Sequence, residues 1–389
     1  MPRYETLDSA LSDAGLDGYL IDAAGDDSDQ RYLSGFDAPD PYLTLYRPDE
    51  LALLVSELEF GRAKADSDAD DVRRFSEFDF TTLREEHGPH EARRRMLAEF
   101  VSDQGAESVA VPRRFPVDSA DGLRERGVTV EPDQDDVVTK IRAVKTDDEI
   151  SHIRAVQAAN ERAMAAAEDL IASTEPVDGN LVLNGEPLTA ERVKTEIETV
   201  LLKEGCGLDE TIVAGGEQGA DPHDRGSGPL PANEPIVIDI FPRNKSTKFH
   251  GDMTRTVVHG TPSETVEDWF EVTREAFEAA LEAIEPGVTG EAVHGAACEV
   301  YEKAGFPTLR SDPGAETGFI HNTGHGVGLD VHELPRLAPD GEELEPGHVV
   351  TVEPGLYDPA VGGMRLEDLV VVTENGYRNL TDYPMTLQL

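Results

Sequence analysis

The chain has 389 residues, with 79 acidic side chains against 34 basic ones and a formal charge of −45. That length exceeds one compact domain and predicts two, each large enough to bury its own core. The acidic residues run along the whole chain. Such a surface repels phosphate backbones and anionic bilayers, which excludes nucleic acid and membranes as partners, and it resembles the solvated surface of halophilic proteins, where counterions screen the self-repulsion.

The first 27 residues, MPRYETLDSALSDAGLDGYLIDAAGDD, hold no basic segment followed by an apolar core, and no run anywhere approaches 18 apolar residues. A soluble, cytoplasmic protein is expected. Residues 18–24, 42–46 and 50–56 read as strands, 58–67 and 90–105 as helices, and 107–115 as a further strand, giving an α/β N-terminal domain over 1–135. No histidine cluster or carboxylate pair stands at ligand spacing there, so a shaping or oligomerising role is expected. Cys206 and Cys298 lie 92 positions apart with no CxxC, and read as buried small residues rather than a disulfide framework.

A second domain, 136–389, opens with a long helix. Thr146 followed by Glu149 forms a capping box, and Ile150, Ile153, Gln157, Asn160, Met164, Ala167 and Ile171 share one stripe at helical spacing. The polar members of that stripe suggest a partly wet contact, as at a domain interface. Residues 174–188 read as a surface loop or small hairpin. Helices are predicted at 190–204, 264–284 and 290–304, with strands between and after them. Of 11 histidines, eight fall between 223 and 348, so the chemistry is expected in this half.

Two segments each carry a pair of acids. In IVIDIFPRNKSTKFHGDMTRTVV, Asp239 lies in the first apolar run and Asp252 starts the second, thirteen positions later. In HVVTVEPGLYDPAVGGMRLEDLVVV, Glu353 ends the first run and Glu367 lies in the second, fourteen positions later. Read as antiparallel hairpins, the two are rough copies, and each interrupts β-branched strands with carboxylates that are costly to bury uncompensated. Four converging carboxylates repel one another unless one or two divalent cations intervene. Between the hairpins, HNTGHGVGLDVHELPR places His325 among Gly324, Gly326 and Gly328, which let the backbone come close to the site. An oxygen-rich set with one imidazole suits Mn²⁺, Co²⁺ or Fe²⁺, with Zn²⁺ also accommodated. His332 is left to handle protons.

These residues, IDIF with GDMTRT, then HNTGHGVGLDVHE, TVEPGLY and RLEDL in that order, resemble the M24 metallopeptidases of the creatinase or pita-bread fold, which include methionine aminopeptidases, aminopeptidase P and prolidases. The resemblance implies an α+β pita-bread catalytic domain behind a creatinase-like α/β N-terminal domain. Xaa-Pro dipeptidases and aminopeptidases are the branch indicated, since KIRAVKTDDEISHIR and QRYLSGF look like prolidase segments. It further implies five metal ligands holding two divalent metal ions: Asp252 and Glu367 as bridges, Asp239 chelating one ion, His325 and Glu353 completing the other. A bridging water would be the nucleophile, with Glu353 taking its proton. His223 and His332 match histidines that act on the substrate, His332 at the scissile amide; His321 is a third match. Arg336, four residues after His332, stands where archaeal prolidases place an arginine for the substrate carboxylate, with a surface ion pair as the alternative. A homodimer and a small peptide substrate are implied too.

The first hairpin departs from the family. It is two residues longer between its aspartates, IFPR replaces the usual turn, and Lys245, Lys248 and His250 occupy the connection. Two other readings remain: a creatinase-like hydrolase of a non-peptide C–N bond, and a pseudo-peptidase that binds without catalysis.

Overall fold

The computed structural model describes residues 4–389 as two compact units, which divide between Arg142 and Ala143. The expected boundary after 135 falls short because the helix Val137–Ala143 is tied to the first unit: Arg142 Nε donates to Asp29 Oδ1 at 2.8 Å, both side chains buried, and the Val137 N–H donates to Asp133.

The first unit is an α/β domain around one mixed sheet. Its strands run in the order 71–74, 50–55, 42–47, 18–23, 108–111, 129–132, antiparallel through the central hairpins and parallel at both flanks. The helix Pro89–Asp103 buries Met96, Leu97, Phe100 and Val101 against Leu20, Leu45 and Val109.

The second unit has two similar halves. In each, a pair of packed helices precedes antiparallel strands: Asp147–Ala172 and Ala190–Lys203 with a three-stranded sheet, then Glu264–Glu282 and Gly290–Lys303 with a five-stranded one. The three-stranded sheet is ordered 211–215, 236–240, 253–257 and the larger one 333–337, 324–326, 349–352, 368–373, 376–379. Residues 175–187, expected as a loop or hairpin, form a small three-stranded meander, tied by Leu181 N–H to Leu230 and by Ala232 N–H to Gly179. Cys206 and Cys298 are buried free thiols. No helix among the described residues is long and apolar enough to cross a membrane.

The helix Asp147–Ala172 begins where its capping box predicts. Thr146 Oγ1 accepts from the Glu149 N–H, and Glu149 Oε2 accepts from the Thr146 N–H at 2.8 Å, so two otherwise orphaned donors are satisfied. All seven residues of the predicted stripe are buried, but its polar members do not face a wet interface. Gln157 donates to the Asp252 carbonyl at 2.9 Å and accepts from the Asp252 N–H at 3.0 Å, while Asn160 donates to the Ile240 carbonyl at 2.6 Å. They hold the backbone of the acidic hairpin.

Thr146→Ala is expected to destabilise the protein by about 1 kcal/mol, read as a lower urea midpoint, and Thr146→Ser to restore most of it.

Candidate metal centre

The first acid pair is delivered by the pairing of Ile236–Ile240 with Met253–Val257, in which Asp239 stands opposite Thr254 and Asp252 immediately precedes the second strand. The long connection folds into a turn of its own. Asn244 N–H donates to the Phe249 carbonyl, Lys248 adopts φ 67°, and Gly251 N–H donates to the Pro242 carbonyl. The added residues therefore leave the ladder without shifting its register. Glu353 and Glu367 flank a second antiparallel pair, Val349–Val352 with Asp368–Thr373, each standing one residue outside it. The intervening chain is used in a separate hairpin, Gly355–Asp358 with Gly362–Arg365.

His325 enters on the short strand Gly324–Gly326, between the strands 333–337 and 349–352. The flanking glycines serve close approach. A Cβ on Gly324 would lie 2.0 Å from the Thr351 carbonyl oxygen, and one on Gly326 would lie 2.1 Å from that of Leu334. Any side chain there would push the histidine strand off its neighbours.

Ligand atoms of Asp252, His325 and Glu367 lie within 4.8 Å of one another. His325 Nε2 is 3.3 Å from Glu353 Oε1 and 3.8 Å from Asp252 Oδ2. Its Nδ1 is 3.1 Å from the Gly326 carbonyl, which can only accept, so the proton of the neutral ring belongs on Nδ1 and the Nε2 lone pair faces carboxylates. Asp239 Oδ2 accepts from Arg365 Nη2, while its buried Oδ1 has no hydrogen-bond partner among the described residues. With the ring neutral, acceptors thus face acceptors, a ligand set that a divalent cation fits; without one, a second proton on His325 Nε2 serves Glu353.

Charge at the centre follows the same arrangement. Burial, reinforced by the Glu367, Asp239 and Glu353 carboxylates, pushes the Asp252 carboxyl well above its ordinary range, and burial with Glu353 and Asp239 does the same to Glu367. Burial also raises Asp239, against the opposing charge of Arg365. Glu353 goes the other way: burial opposes its ionisation, yet the His325 hydrogen bond and charge hold it down at about 2. His325 is correspondingly raised despite burial. In the metal-free protein, protons stand in for cations.

The carboxylates have partners that sequence reading missed. Thr254 Oγ1 donates to Glu367 Oε2 at 2.7 Å, Thr351 Oγ1 donates to Glu353 Oε1 at 3.2 Å, and Arg365 bonds both Asp239 and Thr254. Each partner sits two positions from an acid, Thr254 from Asp252, Thr351 from Glu353 and Arg365 from Glu367. The two-residue period of a strand, which puts i and i+2 on one face, was the available signal.

The remaining predicted residues divide. The His332 ring meets the His325 ring edge-on with centroids 4.2 Å apart, and is exposed on its other side. Burial lowers its basicity, and the charges of His325 and His223 add to that. His223 is exposed in its loop, its N–H donating to Asp221 Oδ1. His321 does not present a free ring nitrogen. Nδ1 donates to the Asn322 carbonyl at 2.7 Å, and Nε2 lies 3.0 Å from the Tyr357 hydroxyl, which is 3.1 Å from Arg365 Nη1. It braces the Tyr357–Arg365–Asp239 series. Arg336 is likewise occupied: its guanidinium pairs with Glu342 at 2.9 Å and with Asp340 at 3.2 Å. That is the ion pair the sequence offered as the alternative to a carboxylate anchor.

Comparison with known proteins identifies the family. Residues 151–374 match the model of metallopeptidase family M24, and residues 3–144 match the creatinase/prolidase N-terminal domain. The chain is 30% identical over 339 residues to the Xaa-Pro dipeptidase of Pyrococcus furiosus, covering 86% of this chain and 85% of that one. The prolidase structure from Pyrococcus horikoshii OT3 superposes with a TM-score of 0.80 at 26% identity, covering 100% of both chains. An X-Pro aminopeptidase structure from Thermotoga maritima gives 0.78 at 26% identity, covering 96% of this chain and 98% of that one.

The raised carboxyls make a prediction for the metal-free protein. A carboxyl whose folded pKa lies above its unfolded value, about 4, contributes stability at low pH that is lost as pH rises through the folded value. Apo protein in fixed high salt should therefore lose thermal stability from about pH 4 upward. Mn²⁺ should restore it most at the alkaline end, and an Asp252→Asn/Glu367→Gln variant should show a flatter profile and little response to Mn²⁺.

Proposed function

The chain belongs to metallopeptidase family M24, and from that premise we propose that it cleaves the bond preceding proline in Xaa-Pro dipeptides or short Xaa-Pro peptides. It is a metallopeptidase with a creatinase-type N-terminal domain and a pita-bread catalytic domain. In this reading Asp239, Asp252, His325, Glu353 and Glu367 hold two divalent ions. The observation that carries it is the convergence of acceptor-only groups on His325 Nε2, with Asp239 Oδ1 left unpartnered. Four carboxylates and one imidazole favour Mn²⁺ or Co²⁺, with Fe²⁺ and Zn²⁺ also compatible.

Bound cations would neutralise the carboxylates and acidify a water for attack. The chain's own residues do the rest. Glu353, oriented by the Thr351 hydroxyl and held in its ionised form, is the group this reading assigns to accept the water's proton. His332, edge-on to His325, is the residue this reading assigns to donate to the oxygen of the scissile amide as charge builds there. Its lowered basicity keeps it neutral, with one N–H to give. His223, whose charge is felt at His332, is the second histidine this reading assigns to the substrate. Arg365, held by Asp239, Thr254 and Tyr357, keeps Asp239 turned toward the centre. With Arg336 engaged by Glu342 and Asp340, the geometry gives no support for dipeptides over longer Xaa-Pro substrates.

The first test is hydrolysis of Xaa-Pro dipeptides, an Xaa-Pro-Xaa tripeptide and a non-proline dipeptide, on apo protein and after addition of Mn²⁺ or Co²⁺. Metal-dependent cleavage restricted to proline substrates is expected, and equal cleavage of the non-proline dipeptide would refute the specificity. Glu353→Gln should lower kcat by about 10²–10⁴-fold with the fold intact by circular dichroism. The formal charge of −45 is read as adaptation to concentrated salt. Raising ionic strength from about 0.1 M to about 1 M, which shortens the screening length from about 10 Å to about 3 Å, should raise the melting temperature. A fall would contradict that adaptation.

A further inference from the structure

Lys145 and Glu333 form an ion pair that includes none of the proposed metal ligands, and the chemistry above has no use for it. Nζ donates to Oε2 at 2.8 Å, and the two side chains are only 1% and 2% exposed. Desolvating two charges in this way gives little net stability even when the geometry is good, so a pair this dry invites a second explanation. Its surroundings supply one.

Glu333 directly follows His332 and opens the strand Glu333–Leu337. His332 lies in a bend just before that strand. Here Glu333 is buried and His332 is exposed, its ring against His325. The Glu333 carboxylate is fixed at both oxygens: Oε2 receives Lys145, and Oε1 accepts from the Asp330 N–H at 2.9 Å. It also lies over Gly328, where a Cβ would come within 2.5 Å of Oε2. The Gly328 carbonyl in turn accepts from the His250 N–H at 2.8 Å, on the acidic hairpin. Lys145 is anchored as well, its N–H donating to the Gly347 carbonyl.

We propose that the buried Lys145–Glu333 pair is a positioning device for His332: by pinning the carboxylate inward and tying the 328–333 loop to it, the pair fixes the rotation of this segment and so aims the imidazole over His325. The inference rests on the peptidase reading for the use made of His332, but the aim of the ring is testable without it.

The experiment uses the full chain loaded with Mn²⁺ for kinetics and the apo chain for NMR. Lys145→Met/Glu333→Gln removes both charges and leaves an amide oxygen for the Asp330 N–H, so it is expected to fold and to bind Mn²⁺ as the parent does. Glu333→Asp, which keeps both charges but withdraws the carboxylate by one methylene, is the second variant. Both should lower kcat on an Xaa-Pro dipeptide at least tenfold with KM within twofold. His332→Ala, costly in the parent, should add less than threefold in the double-variant background. In the apo proteins, the His332 ring protons, shifted in the parent by the His325 ring, should move toward free-histidine positions in both variants. Unchanged His332 resonances, or a full additional loss from His332→Ala in the double variant, would overturn the proposal. If the parent hydrolyses no peptide, the peptidase reading fails while the resonances still decide the positioning role.

Discussion

Four carboxylates brought into one core repel one another, and most of the second unit is arranged around that repulsion. Asp239, Asp252, Glu353 and Glu367 arrive from two separate strand pairs, and burial with mutual charge drives Asp252 and Glu367 toward their neutral forms when no cation is present. The fold answers with fixed donors. Arg365, itself buried, spends its guanidinium on Asp239, Thr254 and Tyr357, and threonine hydroxyls orient Glu367 and Glu353. These donors satisfy some lone pairs and leave others aimed inward, Asp239 Oδ1 and His325 Nε2 above all. A site built this way is incomplete as protein alone, which couples its occupancy to its stability.

The aiming of those acids depends on backbone more than on side-chain packing. Gly324 and Gly326 let the histidine strand lie closer to the Thr351 and Leu334 carbonyls than any Cβ would allow. The long turn between the aspartates is taken up outside the ladder, so the register Asp239 opposite Thr254 survives it. Both features hold the acids and His325 in place through backbone geometry.

Much of this was legible from residues alone. The two acidic hairpins announce themselves by a charge inside a β-branched run, and the capping box at Thr146 marks a helix start to the residue, because both signals are local. What escaped was nonlocal. Gln157 and Asn160 sit on a helix 95 and 80 positions from the backbone groups they hold, and nothing in their spacing names those partners. The Tyr357 hydroxyl beside His321 is 36 positions away in sequence, and nothing in the histidine's own surroundings names it. Arg365 lies within reach of strand periodicity, two positions before Glu367, but its spacing does not say that the guanidinium turns to Asp239, 126 positions away.

The contact between Gln157 and Asp252 carries one more consequence. A primary amide that donates to a carbonyl and accepts from the N–H of the same residue reproduces the double hydrogen bond that a neighbouring strand would make. At Asp252 the helix therefore behaves as a one-residue strand, closing the end of the sheet where its ladder would otherwise lie open to another chain. A charged or hydrophobic side chain at 157 could fill the same volume but could not offer both halves of that bond, so the amide is constrained by edge protection as well as by the acid it steadies.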